Sequence, residues 1–163
     1  MKRWVLSHRD SREAIERIRS RLSASLDLPH SAQVSCAEAS EGVIFLTLDS
    51  GDDKNVFVEA GEETIPFLGS QQTLALFPSA TVDEGAIKFV LNGADVMRPG
   101  GRSFDEWGEV GRVVVVREEK KGRGIAMGRA LVSSTEMSDL QKGPCLKNIH
   151  YLGDRFWNLY KLV

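Results

Sequence analysis

Ala14, Ile15, Ile18 and Leu22 recur three and four positions apart, with Arg12, Arg17, Arg19 and Arg21 between and around them. That spacing predicts a helix over about 8–24, one face packed and the other cationic. Ser7 and Asp10 stand in capping-box relation at its start. Residues 25–35, with Leu26, Leu28 and Pro29, read as a second short helix or a connecting loop. Gly42 to Asp49 is rich in β-branched and aromatic residues, turns at Ser50-Gly-Asp-Asp, and resumes at Asn55-Val-Phe-Val-Glu59. These two runs predict a β-hairpin. Its acidic end, with Asp52 and Asp53 and then Glu59, Glu62 and Glu63, is either a solvated tip or a patch for a basic partner.

Ile65-Pro-Phe-Leu-Gly69 has the character of a turn, and Leu74 to Pro78 leads into the next helix. In that helix Ala86, Ile87, Val90 and Leu91 form the apolar face, Thr81 and Glu84 form the expected capping box, and Gly93 ends it. An extended strand follows, punctuated by Arg98-Pro-Gly-Gly101. Val110 to Arg117 reads as a buried strand and Glu118 to Gly122 as a charged turn. Gly124 to Val132 is the next strand, its small residues Gly124, Ala126 and Gly128 suiting close packing or a barrel bend. Ser134 or Thr135 is expected to cap a short helix through Leu140, with strands near 148–152 and 156–161 closing the chain. The fold class is therefore α+β: an α+β unit over 1–74, then a small closed β-barrel with short helices over 75–163. No Gly/Ser- or Pro-rich tether separates them.

Composition changes this picture little; charge distribution changes it more. The 163 residues carry a net charge of −2 and are 42% hydrophobic and 27% charged, as in ordinary soluble domains. Residues 1–74 hold eight basic and twelve acidic side chains, and residues 75–163 hold thirteen and eleven. Two segments are locally cationic. Residues 1–21 carry seven basic and three acidic residues, and residues 112–129 carry six and two. Such concentrations attract phosphate or simply form solvated faces. No apolar run reaches membrane-spanning length and none of signal-peptide length follows the basic start, so a cytoplasmic protein is expected. Cys36 and Cys145 fit that compartment as free buried thiols.

Catalytic and metal chemistry is thinly represented. His8, His30 and His150 are scattered, no CxxC pair occurs, and neither a P-loop nor a strand-GxGxxG-helix pattern is present. Asp95 and Asp105 form the only carboxylate pair worth weighing, across an intervening Pro-Gly-Gly turn. The expectation is a protein without catalytic residues, metal or cofactor.

Two segments carry a resemblance. Val82-Asp-Glu-Gly-Ala-Ile-Lys-Phe-Val-Leu-Asn-Gly-Ala-Asp-Val-Met-Arg-Pro-Gly100 resembles the opening helix and strand of the PUA domain, a small RNA-binding barrel. Leu146-Lys-Asn-Ile-His-Tyr-Leu-Gly-Asp-Arg-Phe-Trp157 is similar to its closing strands, in the form found in the malignant T-cell amplified sequence family, its archaeal relatives and the N-terminus of ligatin. The resemblance implies an N-terminal domain paired with a PUA barrel. It further implies work in translation on the small ribosomal subunit, with a density-regulated-protein-like partner.

It places RNA against Lys88, Asn92, Gly93, Ala94, Asp95 and Arg98, with Tyr151 and Arg155 supplying a stacking plane and a phosphate contact. Arg117, Lys120, Lys121 and Arg123 form an extended basic surface. Gly93 is open to two readings: a plain helix cap, or a gap through which an RNA backbone approaches closely. Phe156 and Trp157 are expected in the barrel core. One departure stands out, since Gly101 replaces the family's usual apolar residue. The expected function is non-catalytic binding of structured RNA, either the tRNA acceptor end or small-subunit rRNA. The rivals are an RNA-targeting accessory of a modifying enzyme, and a protein-interaction adaptor that has lost RNA binding.

Overall fold

Ser7 Oγ accepts a hydrogen bond from the Asp10 amide at 3.0 Å and starts the first helix, α1 (His8–Leu22), in a computed structural model of the chain. The structure describes residues 1–163 except the side chains of Glu41 and Pro99. The chain divides into two units, Met1–Leu76 with Arg155–Val163, and Phe77–Asp154.

In the first unit, β1 (Lys2–Val5), β2 (Gln33–Glu38), β3 (Val43–Asp49), β4 (Lys54–Ala60) and β5 (Glu63–Pro66) form one antiparallel sheet in chain order. The predicted hairpin is β3–β4, and Ile65-Pro66, expected in a turn, is the end of a strand paired to Phe57 and Val58. Residues 25–32 contain no helix, and α2 (Gln71–Leu74) is a single turn capped by Ser70. Register puts Ile44 opposite Glu59 and Phe45 opposite Val58, so these pairs face opposite sides of the sheet.

Helix α1 packs on the Glu59 side through Ala14, Ile15, Ile18 and Leu22, all buried. Arg17 Nε and Nη2 donate to Glu59 at 2.8 and 3.0 Å, and Arg21 Nη1 does so at 3.2 Å. The hydrogen bond to Glu59 holds the Arg17 pKa above its usual value. Arg19 donates to the carbonyls of Leu26 and Leu28. Three arginines of the predicted cationic face are therefore committed within the unit. Glu59→Ala leaves two half-buried guanidinium groups without their carboxylate and is expected to cost about 1–3 kcal/mol. Urea denaturation checks this; a loss below a few tenths would show that water replaces the pair.

The second unit is a nearly closed, barrel-like sheet of six strands. They are β6 (Ser79–Val82), β7 (Val96–Met97), β8 (Gly101–Phe104), β9 (Val113–Glu118), β10 (Gly124–Ala130) and β11 (Pro144–Tyr151), in the order β7-β11-β10-β9-β6-β8. All pairs are antiparallel except β6 with β9. The buried run Val113–Val116 and the small residues of β10 behave as expected. A β-carbon at Gly128 would stand 2.9 Å from that of Leu146, so the β10–β11 approach requires glycine. Trp107 is buried in this core, its Nε1 donating to the Val132 carbonyl at 3.0 Å. Helix α4 (Ser134–Asp139) is capped by Ser133 with Glu136, one residue before the expected cap.

The end of the chain departs from expectation. Residues 156–161 do not form a closing strand but lie mostly within helix α5 (Arg155–Tyr160), which groups with the first unit. The Trp157 ring stacks on Phe67 at 5.8 Å, and Tyr160 meets Phe67 and Phe45 at 4.2 and 5.1 Å. Phe156 and Trp157 are thus outside the barrel core. The last strand of the six-stranded sheet is β11, eight residues long and paired on both sides, to β10 and β7.

Candidate nucleic-acid interface

A single residue, Asp83, separates the end of β6 from helix α3 (Glu84–Val90). Thr81, expected to cap it, is held in the β-ladder opposite Ser103 and Arg117. Asp83 takes that role, its Oδ1 accepting the Ala86 amide at 3.0 Å. Val90 is buried, while Ala86, Ile87 and Leu91 pack partly buried against the core. The helix then ends through Gly93, at φ +91°. The strand beyond it is only two residues long, because Arg98–Gly100 forms a turn of 3-10 helix before β8.

Between α3 and β7 lies a cleft of about 700 Å³, lined by Gly85, Ala86, Phe89, Ala94, Met97 and Gly100 among others. Phe89 is 57% exposed and Met97 48%. Lys88 is exposed beside them, its Nζ 5.1 Å from the Phe89 ring centroid. Phe89 and Met97 were missed in the sequence. The available signal was that Phe89 falls outside the apolar stripe of its own helix, leaving a large hydrophobe facing water.

The loop after α3 is fixed by Asn148, also unforeseen. Its Nδ2 donates to the carbonyls of Val90 and Ala94 at 2.9 and 3.1 Å, and its backbone amide donates to Asp95 Oδ1 at 2.9 Å. Asp105 instead accepts from the Ser79 amide at 2.8 Å. Each carboxylate of the weighed pair thus serves its own backbone contact. Asn92 and Ala94 are exposed on the loop. Gly93 has a specific neighbour: a β-carbon there would stand 3.2 Å from Cε1 of Tyr151. The space freed by the missing side chain is filled by the tyrosine ring. Tyr151 is fixed in turn, its amide donating to Asp154 Oδ2 at 3.0 Å, the same oxygen lying 2.8 Å from His150 Nδ1.

Arg98 is also engaged internally. Its Nε donates to the Met137 carbonyl at 3.1 Å and its Nη1 to that of Gly101 at 3.4 Å, over the Phe104 ring. A fork on phosphate would cost it these partners. Gly101 sits in this crowd, since a β-carbon there would meet Met137 Cε and the Arg98 carbonyl at 3.4 Å. Arg155 opens α5 in the other unit and lies over Phe156.

Of the extended basic surface, Arg117 is tied to Ser79 Oγ and the Gly122 carbonyl, both at 2.9 Å. Lys120 Nζ reaches Glu84 at 3.2 Å, which sets the β9–β10 turn beside the start of α3. Lys121 and Arg123 are exposed without an ion-pair partner among the described residues. Hydrogen bonds from the amides of Arg123, Lys121 and Lys120 hold the Glu118 carboxyl below its usual pKa. Burial pushes both thiols, Cys36 and Cys145, up; neither is in a disulfide. No cluster of potential metal ligands occurs among the described residues, and no helix is long and apolar enough to cross a membrane.

A six-stranded, nearly closed sheet with an exposed helix–loop face defines the class of PUA-domain proteins, and residues 78–152 match the PUA domain family. An uncharacterised protein of Methanocaldococcus jannaschii is 33% identical over 96% of each chain. Translation machinery-associated protein 20 of Saccharomyces cerevisiae is 32% identical over 80% of this chain and 75% of its own. The crystal structure of a hypothetical protein from Pyrococcus horikoshii aligns with a TM-score of 0.75 at 30% identity, covering 96% of this chain and 98% of that one. The chain belongs to the PUA-domain family that includes translation machinery-associated protein 20 and the malignant T-cell-amplified sequence proteins.

Proposed function

We propose that this protein binds structured RNA through its PUA unit and acts in translation without catalysis. The observation that carries the reading is the cleft beside α3, where a solvent-facing aromatic ring lies next to small residues and a lysine with no ion-pair partner among the described residues. An unpaired base can stack on Phe89 while Lys88 meets the adjoining phosphate. Gly85, Ala86, Ala94 and Gly100 keep the walls low enough for a backbone to approach. The names of the translation machinery-associated relatives support the setting. The ligand is the tRNA acceptor end or small-subunit rRNA, with a density-regulated-protein-like protein as partner. Lys121 and Arg123 extend the contact. Arg98 shapes the turn beneath the site.

Cosedimentation with small ribosomal subunits at low and moderate salt tests this. Wild type is expected to bind, and to bind less as salt rises. Lys88→Glu should weaken binding and flatten the salt dependence by about one phosphate contact. Phe89→Ala should cost about 1–3 kcal/mol with the salt dependence kept. Absence of binding by wild type at low salt would end the ribosomal reading and turn attention to free tRNA and RNA modification. Binding indifferent to both substitutions would favour a protein-interaction adaptor.

A further inference from the structure

The β9–β10 turn is organised around an acid. Glu118 Oε1 accepts the amides of Lys121 and Arg123, and Oε2 accepts that of Lys120, each at 2.9 Å. The Glu118 carbonyl accepts the Gly122 amide at 3.1 Å, and its amide donates to the Arg123 carbonyl at 3.0 Å. One residue thus engages four successive amides of its own turn and closes it on the opposite strand. The carboxylate is turned inward on the backbone, and the side chains of Lys121 and Arg123 are left exposed. Lys120, paired to Glu84, ties the same turn to α3, beside the cleft.

We infer that Glu118 is a positioning residue for RNA phosphate: by anchoring the turn backbone it holds Lys121 and Arg123 in a fixed cationic arrangement next to the α3 cleft. This rests on the RNA reading above and names a residue that charge alone would assign against binding. A negative charge beside phosphate repels it, so simple electrostatics predicts tighter binding when Glu118 is removed. Positioning predicts the reverse. Without the carboxylate the three amides lose their common acceptor, and two long side chains must be ordered anew at each encounter. Glu119 is the internal control. It is adjacent and equally charged, but its carboxylate meets only the Arg102 side chain, at 3.6 Å, among the described residues.

The test measures anisotropy of a fluorescein-labelled RNA hairpin with a single-stranded 3′ tail, titrated with wild type, Glu118→Ala, Glu118→Gln and Glu119→Ala. Backbone ¹⁵N order parameters are recorded for residues 119–123. The expected result is affinity lowered about three- to ten-fold by Glu118→Ala, with a shallower salt slope. Glu118→Gln should weaken binding less, because one oxygen remains to accept, and Glu119→Ala should leave affinity unchanged or raised. Order parameters should fall only in the Glu118 variants. Equal strengthening by Glu118→Ala and Glu119→Ala, or an unchanged turn in Glu118→Ala, overturns the positioning role and leaves RNA binding intact. Failure of wild type to bind at low salt removes the RNA reading itself, a separate and visible outcome.

Discussion

Phe67→Ala is expected to lower stability by about 3–5 kcal/mol, the usual range for removing a buried aromatic ring. Phe67 is 2% exposed and sits at the centre of an aromatic group in the first unit. Phe45 meets it edge-on at 5.8 Å, Trp157 stacks on it, and Tyr160 lies 4.2 Å away. Two of these partners belong to α5, which follows the barrel in sequence. The lost ring therefore removes both core volume and the main aromatic anchor of the last helix. Urea denaturation gives the stability change. The indole N–H resonance of Trp157 reports the local one, and it should shift and broaden in Phe67→Ala under conditions where the protein stays folded. If residues 156–161 were a barrel strand, that resonance would not respond to a substitution at position 67.

The segment 155–160 also shows where sequence reasoning stops. Arg155-Phe-Trp-Asn-Leu-Tyr has aromatic residues that favour strands, and six residues are too few to establish a helical period. Its conformation is decided by Phe67 and Phe45, about a hundred residues earlier in the chain, through contacts that local pattern does not carry. By contrast α1 was legible because fifteen residues repeat one apolar stripe and Ser7 caps it locally. The β3–β4 hairpin was legible for a similar reason, a turn signal between two runs of strand formers. The short edge strands β1 and β8 were not, since four residues contain no period, and of β7 the sequence showed the strand after Gly93 but not that it is only two residues long. At the candidate site the sequence placed Lys88 and the loop 92–95, and the basic turn as a separate feature. It could not show that Lys120 joins that turn to α3, nor that the guanidinium of Arg98 is occupied by carbonyls of Met137 and Gly101. Charge is visible in a sequence; what a charge has already been paired with is not.

Gly93→Val carries the second large expected effect, and it separates the two readings left open at that residue. At φ +91° a β-branched side chain is strained whatever the surrounding space, at a cost of about 1–3 kcal/mol. The new β-carbon would also stand 3.2 Å from Tyr151 Cε1, and overpacking of this kind costs about 1–3 kcal/mol more. The tyrosine has little freedom to retreat, because its amide is held by Asp154 and that carboxylate lies against the fully buried His150. A glycine kept only for close approach of RNA would behave otherwise. Its substitution would cost backbone strain and affinity, and would be indifferent to Tyr151. Combining Gly93→Val with Tyr151→Ala distinguishes these, since contacting residues couple by about 0.5–3 kcal/mol and non-contacting ones add. The structure predicts that Gly93→Val destabilises less in the Tyr151→Ala background than in wild type, measured by urea denaturation. RNA affinity should fall in Gly93→Val and stay low in the double variant, because relieving the crowding restores neither the loop's backbone conformation nor the tyrosine ring. Strict additivity of the two stability changes would show that the ring and the glycine do not depend on each other.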